Sequence, residues 1–161
     1  MAKLRHIALS VPDPEAAAAF YAKAFGLKRV GTVDHEHVSG VYLSDGVVNL
    51  AILKYKTNHL AGDDRGPDYV GIHHLGFWVD DIDAARGAAE AAGATYFAGE
   101  LPEAADSFYE VKYRDPNGIV FDLTGNGWVG ASKDVVPDRQ ASAPQEKTEH
   151  ADPLRAEAEL S

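Results

Sequence analysis

The chain predicts an α+β protein built from two βαβββ modules, and an internal repeat carries that prediction. The stretch Gly71–Asp83 (GIHHLGFWVDDID) restates Arg5–Glu15 (RHIALSVPDPE), with His6 against His74, Val11 against Val79 and Asp13 against Asp81. Self-similarity of this kind decides architecture ahead of local propensity. The segments after the two copies match as well. PEAAAAFYAKAF runs up to Gly26 and IDAARGAAEAA up to Gly93, and the copies end on the related phrases Ser44–Leu53 (SDGVVNLAIL) and Asp115–Gly125 (DPNGIVFDLTG).

Taken in order, Leu4–Val11 alternates. Ile7, Leu9 and Val11 form one row, the bed for the following helix, and Leu4, His6, Ala8 and Ser10 form the other. Asp13 as N-cap, Pro14 at the first helical position and Gly26 just past the last turn bound a first helix; Asp81 and Gly93 bound a second. Leu27–Val33 and Val38–Ser44 read as strands around the polar loop Asp34-His35-Glu36-His37. Asp45-Gly46 is a hairpin signal leading into a strand over Val47–Tyr55, where Asn49 is the one polar side chain of Val47–Leu53 and needs a partner if buried. Lys56–Tyr69, rich in turn formers and charges, connects the modules.

In the second module Leu75, Phe77 and Val79 form the bed, and His74, Gly76 and Trp78 face away from it. His73 then points to the helix side by alternation, which favours a structural role. Ala94–Ala98, Ser107–Arg114 and Ile119–Thr124 are the remaining strands, the last two joined by the turn Asp115-Pro116-Asn117-Gly118. On the last strand Val120, Asp122 and Thr124 oppose Ile119, Phe121 and Leu123. The organisation expected is one domain over residues 1–128, with module 1 at 3–55, a linker at 56–70 and module 2 at 71–128. Residues 129–161 are expected to be a flexible tail, because Ala131–Ser161 has no aromatic residue and little apolar surface to offset ordering entropy. Within it, Pro153–Leu160 has the composition for a short helix.

The 161 residues are 45% apolar, enough for an ordinary core. A net charge of −10 argues against nucleic acid and anionic membrane partners. The absence of cysteine removes disulfide and thiolate chemistry. The start, MAKLRH, lacks an apolar signal region, and no run approaches the roughly 20 apolar residues a membrane span needs, so a cytoplasmic protein is expected.

His6 and Asn49 in the first copy correspond to His74 and Asp122 in the second, each on an otherwise apolar strand and each on the face without the helix. If the modules pair their sheets around a shared hollow, the four converge on a mixed N/O site suited to a divalent ion such as Zn, Ni, Co, Fe or Mn. A lone histidine on a strand is usually a hydrogen-bonded core residue; repetition in register with a carboxylate is what points to ligation. His35 and His37 form a competing pair, read as a solvated hairpin, and His59 lies in the linker without signal.

The paired phrases HIALSV…FYAKAFGL and HHLGFWVDDIDAA, with DPNGIVFDL near the end, resemble the vicinal oxygen chelate superfamily, which includes glyoxalases, methylmalonyl-CoA epimerases, extradiol dioxygenases and bleomycin-resistance proteins. The resemblance covers about residues 3–125 and implies an open, cup-shaped mixed sheet, usually with a homodimer involved. By position it implies metal ligands at His6, His74, Asp122 and, as a weak fourth ligand or orienting group, Asn49. Asp122 and Asn49 are each one methylene shorter than the family's usual Glu or Gln, and Asp122 is the remaining candidate proton acceptor. Trp78, Tyr113 and Phe108 are expected to line the cup around a small oxygen-bearing substrate. The activity implied is a metal-dependent lyase, isomerase or dioxygenase. The alternative is a metal-free binding protein of the bleomycin-resistance type.

Overall fold

The computed structural model describes residues 1–102, 104 and 107–135. β1 (Lys3–Ser10) leads to α1 (Pro14–Phe25), whose N-cap Asp13 accepts from the Ala16 amide at 3.0 Å and whose C-cap Gly26 is left-handed at φ 73°. Then come β2 (Lys28–Asp34), β3 (Val38–Ser44), β4 (Asn49–Tyr55) and the short α2 (Asn58–Ala61). The second module repeats the order as β5 (Gly71–Trp78), α3 (Ile82–Ala91), β6 (Thr95–Ala98), β7 (Val111–Arg114) and β8 (Val120–Thr124). Asp81 caps α3 as Asp13 caps α1, accepting from the Ala84 amide at 2.9 Å.

All eight strands join one mixed, unclosed sheet in the order β2-β3-β4-β1-β5-β8-β7-β6. Each module's first strand lies parallel to its own last strand, β1 with β4 and β5 with β8. The two first strands meet antiparallel at the centre. The two longer helices, α1 and α3, cover one face. Val41, Leu43 and Ile52 pack beneath α1 against its Ala18, and Val79, Val111, Tyr113 and Leu123 beneath α3. The opposite face carries Ala8, Val38, Ala51, Leu53 and Tyr55, closed at one edge by Ala61 and Leu60 of α2. Alternation therefore decides which side chains reach the hollow, as the sequence predicts for His6, Asn49, His74 and Asp122.

Several boundaries differ from expectation for one reason: side chains take over backbone groups that a strand would have used. Asp45 accepts from the amides of Val47 and Val48 at 2.8 Å each, so β4 begins at Asn49. Asp115 does the same for Ile119 at 2.8 Å, and β8 begins at Val120. Residues 107–110, expected as strand, lie outside β7; there the Ser107 carbonyl accepts from the Asn126 amide group and the Tyr109 hydroxyl from the Gly125 amide. α2 stands within the stretch read as a plain linker.

Residues 130–133, assigned to the tail by composition, are tied to the sheet. Ser132 N donates to Val47 O, Arg5 donates to the carbonyls of Ser132 and Lys133, and Lys133 pairs with Asp80 at 2.5 Å. The expected helix at Pro153–Leu160 lies outside the described residues.

The central strands demand a glycine at position 76. Gly76 is paired with His6, and a Cβ there would lie 2.8 Å from His6 Cβ and 2.7 Å from the Trp128 indole. Gly76→Ala is expected to cost about 1–3 kcal/mol through overpacking, measured by urea denaturation; an unchanged midpoint would contradict the packing described.

Candidate metal centre

The four inner strands each bring one polar side chain to the hollow face: Asn49 from β4, His6 from β1, His74 from β5 and Asp122 from β8. All four are at most 5% exposed. Among the described residues, His6, His74 and Asp122 are the one group of three or more metal-type donors that converges, with ligand atoms within 4.8 Å of one another.

Neighbouring acceptors assign the tautomers. Asn49 Nδ2 donates to the Val129 carbonyl at 2.8 Å, which turns its Oδ1 toward His6 Nδ1, 2.8 Å away. An amide oxygen only accepts, so the His6 proton sits on Nδ1 and Nε2 is bare. His73 Nε2 donates to the Ala61 carbonyl at 2.9 Å, which leaves its Nδ1 as an acceptor. His74 Nδ1 lies 2.9 Å from that nitrogen and donates to it, so His74 Nε2 is bare as well. The two bare nitrogens face each other at 3.2 Å, with Asp122 Oδ2 3.2 Å from His74 Nε2.

The two imidazole lone pairs have no proton to share and repel unless a cation stands between them, while Asp122 Oδ2 is held by the Lys112 ammonium at 2.6 Å. Metal–nitrogen bonds of about 2.05 Å give a tetrahedral edge of about 3.3 Å, close to both separations. Asp122 Oδ1 is buried with no hydrogen-bond partner among the described residues. The donor set fits a divalent ion.

Burial, with the His74 charge added, lowers His6 to about 4. Burial, with Lys112 added, lowers His74 well below its ordinary value. Both rings are neutral at pH 7, as metal ligation requires. His73 is also lowered, chiefly by burial.

Asn49, expected as a weak fourth ligand or an orienting group, spends its oxygen on His6 and its amide nitrogen on Val129, which is the orienting arrangement. Two expectations need correction. His73 does not face the helix: β1 pairs Ala8 with His74 and then Leu9 with Ile72, so His73 is the extra residue of a bulge and turns into the hollow beside Tyr55. It fixes the His74 tautomer. Trp78 and Tyr113 do not line the cup. Trp78 donates to the Gly125 carbonyl and packs on Gly127, and Tyr113 is fully buried under α3, bonded to Glu90 and Arg86.

The hollow is a cavity of about 590 Å³ shared by both modules. Phe108 borders it as expected, together with Tyr42, Tyr55, Phe97, Glu110, Lys112 and Trp128. Trp128 stacks on His6 with ring centroids 4.8 Å apart and donates to Glu110 Oε1 at 2.6 Å. Lys112 Nζ lies 3.1 Å from Glu110 Oε2 and 2.6 Å from Asp122 Oδ2. Glu110 is the only carboxylate in the cavity wall among the described residues. Its alternation partner Lys112 shares its face of the strand, a signal that was available in Glu110-Val111-Lys112. His35 reaches the cavity rim, whereas His37 is held by Thr57 and Glu36 and packs on His59.

The profile of the Glyoxalase/Bleomycin resistance protein/Dioxygenase superfamily matches residues 3–123. The chain belongs to this superfamily. Among curated superfamily members it is 32% identical over 132 residues to the ethylmalonyl-CoA/methylmalonyl-CoA epimerase of Cereibacter sphaeroides, a match spanning 75% of this chain and 96% of the relative. A hypothetical protein of Bacillus halodurans shares the superfamily fold with a TM-score of 0.60 at 21% identity, covering 76% of this chain and 92% of that one. The Mycobacterium tuberculosis methylmalonyl-CoA epimerase does so with a TM-score of 0.56 at 20% identity, covering 74% and 85%. No helix among the described residues is long and apolar enough to cross a membrane.

Two outcomes are expected. In the metal-free protein the unfolded chain protonates His6 near pH 6.5 and the folded chain only near 4, so the unfolded state holds more protons across that window. Stability therefore falls with acidification through it, by roughly 3 kcal/mol at His6 alone; urea denaturation at pH 7 and pH 4 showing no difference would contradict this. His73→Phe removes the acceptor for His74 Nδ1 and is expected to lower metal affinity about 10- to 100-fold, measured by calorimetric titration.

Proposed function

We propose that this protein is a divalent-metal-dependent epimerase acting on a 2-alkylmalonyl-CoA type thioester, with His6, His74 and Asp122 as the metal ligands. The observation that carries the reading is the pair of bare imidazole nitrogens 3.2 Å apart beside a buried carboxylate. Similarity to the Cereibacter epimerase over nearly its whole length favours isomerisation among the reactions left open by the sequence, and favours an acyl-CoA thioester as the substrate.

A divalent ion of the Zn, Ni, Co, Fe or Mn kind, when bound, supplies Lewis acidity toward a substrate carbonyl and so acidifies the carbon beside it. The chain's own residues have separate tasks. Asn49 and His73 keep the two imidazoles aimed. Asp122, fully buried and outside the cavity wall, serves as a ligand in this reading. Glu110, whose carboxylate borders the cavity with Trp128 and Lys112 holding its two oxygens, takes the proton from the carbon, and a solvent-derived proton returned to the opposite face completes the inversion. Tyr42, Tyr55 and Phe97 form apolar wall that limits water around the reacting carbon.

Elemental analysis of untagged protein and proton NMR of methylmalonyl-CoA in deuterated buffer test the reading together. Equimolar transition metal and exchange of the proton beside the thioester carbonyl are expected. His6→Ala and His74→Ala should lose the metal and His35→Ala should keep it. Glu110→Gln, assayed at saturating metal, should slow exchange about 100- to 10,000-fold. Protein that takes up no metal, yet retains aromatic ligands, would sink the epimerase in favour of a sequestration protein.

A further inference from the structure

Lys112 is a cation placed inside a site built for cations. Its neighbours Val111 and Tyr113 face α3, so alternation along β7 turns Lys112 to the hollow. Its side chain is 19% exposed, and the ammonium lies 2.6 Å from Asp122 Oδ2 and 3.1 Å from Glu110 Oε2. Burial works against this charge, but the carboxylates of Asp122 and Glu110 outweigh it and hold the amine above its ordinary value. The same Asp122 oxygen is the one 3.2 Å from His74 Nε2. A divalent ion approaching His6, His74 and Asp122 therefore finds its only carboxylate ligand already neutralised. The second carboxylate, Glu110, lies within reach of the same ammonium.

We propose that Lys112 is a resident competing cation: it holds Asp122 while no divalent ion is bound, is released to Glu110 when one binds, and thereby sets the metal affinity of the site. This rests on the reading of His6, His74 and Asp122 as ligands. A purely structural salt bridge would make the opposite demand, because removing Lys112 would then free Asp122 from its aim and weaken binding.

The test is calorimetric titration of the metal-free proteins with cobalt(II) chloride. Lys112→Met should bind cobalt at least about tenfold more tightly than the wild type, since a unit charge a few ångströms from a divalent ion matters that much even at an effective dielectric of about 20. Glu110→Gln, which leaves Asp122 as the ammonium's one carboxylate partner, should bind at least about tenfold more weakly. Lys112→Gln, which retains polarity without charge, should follow Lys112→Met, and it decides the question if the methionine variant does not fold. Lysine variants that bind within about threefold of wild type, or more weakly, overturn the proposal. His74→Ala separates the two claims: if it binds cobalt as the wild type does, the ligand reading fails. If it loses binding while Lys112→Met gains nothing, only the role of Lys112 fails.

Discussion

Two imidazole nitrogens without protons face each other across 3.2 Å in the middle of the sheet. Left alone, such a pair would rotate apart or take up a proton. Here neither is available. One ring is pinned through its other nitrogen by an amide oxygen, the second by a neighbouring imidazole that is itself committed to a backbone carbonyl. Burial disfavours the charged ring that protonation would create. The repulsion is thus held in place by the fold, and a divalent cation is the species that relieves it.

The duplication is what makes this arrangement geometrically cheap. Each module pairs its first and last strands in parallel, so one polar residue on each brings two polar side chains together. Antiparallel contact between β1 and β5 then sets the two pairs against each other. The flanking strands add what the repeat does not contain: Glu110 and Lys112 from the approach to β7 and its second residue, and Trp128 from the segment after β8, stacked over His6 in space that Gly76 leaves open. The candidate metal site and the cavity thereby share one wall, with a carboxylate on each side of a single ammonium.

The repeat and period-two alternation make His6, His74, Asp122 and Asn49 legible in the sequence, because both signals depend only on strand geometry. The same rule fails at His73, where a bulge adds a residue and reverses the face; nothing in Gly71–Trp78 marks that position. Trp78 shares the face of His74 by alternation, but the hollow does not extend to its end of β5, where Gly125 and Gly127 receive the indole. Tyr113 lies five residues from Phe108, so alternation along Ser107–Arg114 puts the two on opposite faces, and the Tyr113 hydroxyl is bound by Glu90 and Arg86 on the helix side. Glu110 and Lys112 resemble an ordinary solvated strand face when taken singly. Only the fold brings them to Asp122. Residues 130–133 escape a compositional reading because averages hide a few specific ties to Arg5, Val47 and Asp80.

The most direct measurement is long-range proton–nitrogen NMR of the histidine rings in the metal-free protein at neutral pH. His6 and His74 are both expected to carry their proton on Nδ1, with unprotonated Nε2 signals that move on addition of zinc. An Nε2-protonated tautomer or an imidazolium at either ring, or Nε2 signals indifferent to zinc, would contradict the metal centre described.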